Sequence, residues 1–148
     1  MTEYTPSAGY AGFWKRFAAV LIDAFALAVP GFLLGAIIGL SFASRFDDEM
    51  TASMGADLMG RLVGIGMAWL YYSLMESSAW QATLGKKALG IVVVDANGDR
   101  LTWGRATGRY FGKIVSAIPM GIGFLLAAFT QKKQALHDMM AATYVVNK

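Results

Sequence analysis

The sequence predicts an α-helical integral membrane protein with two full transmembrane helices, a third broken, amphipathic or re-entrant membrane segment, and a small cytoplasmic β-hairpin or sheet. Three observations predict it. At 148 residues, with 56% hydrophobic and 16% charged side chains and a mean hydropathy of +0.47, the chain is too apolar for one soluble domain. Two apolar runs, residues 13–40 and 59–80, each meet the roughly 20 residues a helix needs to cross a bilayer. Between residues 90 and 104 the apolar period changes to two, the period of a strand.

The first helix is expected over residues 12–42. Lys15 and Arg16 precede its apolar run as the charges of a secretory signal would, but a signal core spans about 7 to 15 residues and carries no Asp, so a retained membrane helix is predicted. Arg16 and Asp23 stand inside it. At about 100° per residue the two share one face, roughly 10.5 Å apart along the axis, too far to satisfy each other. A carboxylate at membrane depth costs a few kcal/mol, so both need partners from elsewhere in the chain or from another copy. Pro30 is expected to bend the helix. Gly31, Gly35 and Gly39 form a small-residue ridge for close helix approach, or else ordinary glycine enrichment of a membrane helix.

A polar loop is expected over residues 44–58, with Asp47, Asp48, Glu49 and Asp57 against Arg45. The second helix, 59–80, repeats the small-residue ridge at Gly60, Gly64 and Ala68 and ends among Trp69, Tyr71, Tyr72 and Trp80, residue types of a headgroup belt. Glu76 lies about one turn inside its end. Lys86 and Lys87 follow it while the intervening loop is acidic, so the positive-inside rule puts the N-terminus and residues 81–103 in the cytoplasm. Arg16 and Glu76 then share one shallow depth and are the preferred ion pair.

Residues 90–104 predict a β-hairpin on an Asn97-Gly98 turn, with Val94 facing Leu101 and Val92 facing Trp103. The spacing Asp95, Asn97, Asp99 is no calcium loop, because Arg100 stands where that loop needs Gly and Ala106 where it needs Glu. Gly85-Lys86-Lys87 lacks the upstream Gly and following hydroxyl of a phosphate loop. In the third segment, 104–130, Arg105, Arg109 and Lys113 recur every fourth residue beside Gly104, Gly108 and Gly112, a basic amphipathic stripe that prefers the interface. Pro119, Gly121 and Gly123 interrupt it. A return to the cytoplasm is favoured over a third complete span, since Lys132 and Lys133 follow. In the C-terminal cytoplasmic segment, 131–148, the β-prone residues 143–146 are expected to pair with residues 91–94. That would bring Asp138 toward Arg16, Lys86 or Arg109, with Arg109 first.

Together the motifs resemble a known family. Gly12-Phe13-Trp14-Lys15-Arg16-Phe17-Ala18 with Asp23, then Gln81-Ala82-Thr83-Leu84-Gly85-Lys86-Lys87-Ala88-Leu89-Gly90 leading into Val93-Val94-Asp95 and Gly98, then Arg109, and Gln134-Ala135-Leu136-His137-Asp138 with Thr143 and Val145-Val146, are similar to the RDD family of small bacterial membrane proteins. The family takes its name from one arginine and two aspartates, which fall here on Arg16, Asp23 and Asp138. The resemblance covers nearly the whole chain as a single domain, 1–148, and the acidic loop at 44–58 matches nothing in it. It implies a membrane domain suspected of transport, with cation/proton exchange suggested for some members, and supplies no substrate.

The functional expectation is a charge network of Arg16, Asp23, Glu76, Lys86, Arg109 and Asp138 in a multi-pass, N-terminus-inside protein of the bacterial cytoplasmic (inner) membrane. Two readings follow. One is transport of a small ion or solute, in the form of proton-coupled cation exchange with Asp23 titrating, by a homo-oligomer, since two or three helices cannot enclose a gated path. The other is a non-transporting interaction or assembly protein whose intramembrane charge pairs are structural. The net charge of +3 suits anionic lipid headgroups as partner, and no nucleic-acid-reading module is visible. With no Cys and one His, His137, the residues predict no metal site, cofactor or enzymatic activity.

Overall fold

The computed structural model describes residues 5–118 and 121–148. Along them run α1 (Phe13–Ala43), α2 (Glu49–Ser77), α3 (Leu84–Ala88), β1 (Ile91–Asp95), α4 (Trp103–Ala117), α5 (Ile122–Phe129), α6 (Leu136–Met140) and β2 (Thr143–Asn147). The chain forms two compact units: Met1–Asp23 with Tyr71–Lys148, and Ala24–Leu70.

The second unit consists of the later part of α1 and the earlier part of α2. Among the described residues α1 is the helix long and apolar enough to cross a membrane; its 31 residues extend about 46 Å. Phe25, Phe32 and Leu40 are each more than 70% exposed, a surface that suits lipid and not water. Pro30 lies inside α1 without ending it.

Helix α2 begins at Glu49, ten residues before the expected 59, so the polar loop shrinks to residues 44–48. The cause is local. The Asp48 carboxylate accepts from Thr51 N at 2.7 Å, and Glu49 adds a negative charge in the first turn where the helix dipole favours it. That extension brings the exposed Asp57–Arg61 pair (2.9 Å) into the helix, and α2 does not match α1 in apolar content. An added Cβ at Gly35, Gly39, Gly60 or Gly64 would meet nothing within 4 Å, while one at Gly31 would touch Met67 Cε at 3.4 Å, so the ridges are open in a single chain except at Gly31.

The first unit is organised on a sheet. Strand β1 pairs antiparallel with β2, with Val92 opposite Val146, Val93 opposite Val145 and Val94 opposite Tyr144. This is the expected partnership of residues 91–94 with 143–146. Ile91, Val93, Leu101, Ala106 and Val145 form the core on one face together with Ala11 and Ala19. Tyr10, Val92, Val94, Tyr144 and Val146 cluster separately. Both sheet edges are occupied: Ala11 N donates to Val145 O at 2.8 Å beyond β2, and Val93 N donates to Gln81 O at 2.7 Å beyond β1.

The hairpin expected within 90–104 does not form. A turn forms there, but not the expected one: it is centred on Ala96 and Asn97, with Gly98 N donating to Asp95 O at 3.1 Å, Asp95 Oδ1 accepting from Asn97 N (2.8 Å) and Asp99 N (3.0 Å), and Gly98 taking φ 88°. No second strand follows. With both edges occupied there is no place for it, so Leu101 turns into the core and Thr102 caps α4, its hydroxyl accepting from Arg105 N at 3.3 Å.

The third segment is broken, as expected, into α4 and α5 with axes bent by 103°. Pro119, to which the sequence assigns the interruption, lies outside the described residues. At Gly123 an added Cβ would stand 2.7 Å from Ser116 Cα, a contact that only glycine permits as α5 folds back on α4.

Candidate functional site

Asp138 stands in the first turn of α6, and its position is dictated from within the chain. As the third residue of that helix it accepts from Ala135 N at 3.1 Å, the return half of a capping box. Gly112 clears the space for it. A Cβ there would lie 3.1 Å from His137 Cβ, so α6 can lie against α4 where the Arg105, Arg109 and Lys113 stripe runs. Arg109 Nε and Nη2 then both reach Asp138 Oδ1, at 2.9 and 2.7 Å. Arg16, from the first turn of α1, bonds Oδ2 through Nη1. Asp138 is fully buried, which by itself would raise its pKa, yet Arg109 and Arg16 outweigh that and hold the carboxyl well below the usual carboxylate range.

Glu76 is the second anion. Arg109 Nη1 reaches its Oε2 at 2.5 Å, so one guanidinium bridges both carboxylates. Lys86 Nζ bonds Oε1, and Lys113 Nζ stands 3.9 Å from the same oxygen over the Tyr72 ring, 3.6 Å from its centroid. Burial pushes the Lys86 ammonium down to about 8 against the pull of Glu76. The preferred Arg16–Glu76 pair is therefore corrected: Arg16 takes Asp138 and Ala11 O (3.1 Å), and Glu76 takes Lys86 and Arg109. The reason is tertiary. Helix α6 inserts the second aspartate beside Arg16, and α3 delivers Lys86 to Glu76.

Asp23 lies apart from this network, in a neutral cradle. Its Oδ1 accepts from Tyr71 OH (2.7 Å) and Gly85 N (2.7 Å), and its Oδ2 from Thr83 Oγ1 (2.6 Å). Gly85 makes this possible, because an added Cβ would meet Ala19 O at 2.0 Å. Asp23 thus fastens the start of α3 onto α1. Of the six residues expected in one network, five are joined and Asp23 is separate.

Sequence reasoning left out Lys113 and His137 as members of the network, and Tyr71, Thr83 and Gly85 as the partners of Asp23. Lys113 was visible as the third residue of the basic stripe. His137 was not. Its Nδ1 stands 3.2 Å from Ser116 Oγ and its Nε2 3.3 Å from Asp138 Oδ1, and burial pushes its pKa down to about 3, so it is neutral at pH 7. The Ser116, His137, Asp138 series has the order of a hydrolase relay but not its access: all three are buried, and the Ser116 hydroxyl already donates to Gly112 O at 2.9 Å.

Comparison with known proteins gives one family model and several relatives. The model of the RDD family matches residues 10–142. In Bacillus subtilis strain 168 the uncharacterized protein YxaI is 39% identical, covering 93% of this chain and 97% of its own. The uncharacterized membrane protein YteJ of the same strain is 32% identical over 94% of this chain and 82% of its own. The uncharacterized protein YckC, also from that strain, is 30% identical over 98% and 87%. No solved structure matches. A match from residue 10 to residue 142 takes in Arg16, Asp23 and Asp138, and the chain belongs to the RDD family.

Proposed function

We propose that this protein is a multi-pass protein of the bacterial cytoplasmic membrane that moves a small ion or solute as a homo-oligomer, in the form of proton-linked cation exchange. The observation that carries the reading is a cluster of six ionisable groups, the buried Glu76, Lys86, Arg109 and Asp138 with the half-buried Arg16 and Lys113, assembled from a membrane-capable helix and broken elements. Charges at membrane depth are expensive and mark ion or proton paths, and irregular backbone is tolerated there only where protein or a cavity covers it.

The sheet supports the topology by parity. Residues 9–11, β1 and β2 are hydrogen-bonded neighbours and must lie on one side of the membrane. The chain therefore crosses an even number of times between residues 11 and 91, so if α1 spans, α2 returns. It also crosses an even number of times between residues 95 and 143, which suits a third segment that enters and leaves on one face. The basic flanks, Lys15 and Arg16 before α1 and Lys86 and Lys87 after α2, support a cytoplasmic location for that side.

The non-transporting reading has its own support: both oxygens of Asp23 and of Asp138 already accept hydrogen bonds, as in a structural lock. Purified protein in liposomes loaded with a pH dye and challenged with monovalent cations separates the two. Transport predicts a cation-dependent dye signal that protein-free liposomes lack. An absent signal from well-folded protein favours the lock.

A further inference from the structure

Glu76 Oε1 carries two ammonium groups. Lys86 Nζ bonds it from α3, while Lys113 Nζ, from α4, is held at 3.9 Å, beyond hydrogen-bond reach. The other oxygen, Oε2, accepts from Arg109 Nη1 at 2.5 Å. The groups facing the two lysines are Glu76 and Tyr72 from α2, Arg109 and Tyr110 from α4, and His137 and Asp138 from α6.

Counting charge gives a surplus. The cations Arg16, Lys86, Arg109 and Lys113 face the carboxylates Glu76 and Asp138, so four positive charges meet two negative ones. Guanidinium groups keep their protons at any pH a protein survives, so the surplus can be discharged only at a lysine. Two ammoniums on one carboxylate oxygen repel as two carboxylates in a dyad do, with the signs reversed. Lys113 is the looser of the two. It has a π-face contact where Lys86 has a hydrogen bond, and its side chain is 20% exposed against 7% for Lys86, which gives a departing proton a way out.

We propose that Lys86 and Lys113 form a proton-exchange pair on Glu76, holding two ammonium charges in acid and one in mild alkali, with Lys113 the member that releases its proton to water as the free amine. The free amine is uncharged, so three positive charges then face the two carboxylates, and the Lys86 ammonium remains on Glu76. As the proton carrier of a transporter the pair rests on the reading above, but its protonation is measurable with no ion gradient present.

The test is a pH titration from 6 to 11 of the whole chain in detergent micelles, with lysines carbon-13 labelled at Cε. One lysine signal should titrate about two pH units below the exposed lysines, within the range that neighbouring like charges impose. That signal should disappear in Lys113→Arg. In Lys86→Gln the rival charge is gone, and the low-titrating Lys113 signal should move to higher pH. All lysines titrating together near the ordinary value of about 10.4, or a Lys113 signal unmoved by Lys86→Gln, overturns the pair. The wild-type titration decides even where a variant folds poorly. A low-titrating pair in protein that gives no dye signal in liposomes upholds this inference and overturns transport; a dye signal from protein whose lysines titrate normally does the reverse.

Discussion

Asp138 is the residue on which the charged cluster closes, since Arg16, Arg109, His137 and the backbone of α6 all meet at its carboxylate. Asp138→Asn should leave two guanidiniums with too little negative charge and cost about 3–5 kcal/mol, the usual penalty for breaking a buried pair from one side. Thermal melting in detergent measures it, with Asp57→Asn as the control whose exposed pair should scarcely matter. His137 predicts a pH dependence of its own. Its pKa falls from an ordinary 6.5 to about 3 on burial, so as pH drops the unfolded chain takes the proton first. Stability should therefore be complete above pH 6.5 and decline between pH 6.5 and 4.5, above the range where the depressed Asp138 begins to contribute a loss of the same sign. His137→Gln should flatten that decline; an equal slope in both proteins would rule out His137 as its source.

At the scale of elements, short pieces of backbone hold the network in place, and glycines decide where they fit. Gly85→Ala puts a methyl 2.0 Å from Ala19 O, which is backbone and cannot rotate away, so α3 must lift from Asp23. The expected cost is at least about 1–3 kcal/mol in melting, together with loss of the Thr83 and Gly85 bonds to Asp23. Gly108→Ala, where an added Cβ meets nothing within 4 Å, should instead stabilise α4 by about 0.5–1 kcal/mol. The sheet is tested by its register. Cysteines at Val93 and Val145, directly opposed in β1 and β2, should form a disulfide in membranes, whereas cysteines at Val92 and Val145 should do so poorly.

For the whole molecule, the sheet fixes parity and the open glycine ridges bear on assembly. A label that does not cross membranes should fail to reach a cysteine at residue 148 in intact cells and react after permeabilisation; reaction in intact cells overturns the cytoplasmic sheet. Gly35→Leu should lower the oligomeric mass in detergent if the first ridge is the interface, because the residue faces nothing within one chain. An unchanged mass moves the interface elsewhere.

The sequence by itself determined what period and composition control. The apolar run of α1, the basic stripe of α4, the β-prone residues 143–146 and the ordered motifs of the RDD family are all properties of neighbours along the chain. It also placed Arg109 with Asp138, because sheet pairing forces that return. Three things were decided only in the tertiary structure. The hairpin failed because Gln81 and β2 had taken both edges of β1, an occupancy that residues 96–103 cannot report. Arg16 and Glu76 exchanged partners because α3 and α6 brought in Lys86 and Asp138 from far along the chain. Asp23 found hydroxyl and amide donors in place of a charge because Gly85 lets α3 press against Ala19 O. Ion pairing depends on a few ångströms of side-chain reach between distant segments, and spacing along one helix fixes only which face a charge is on.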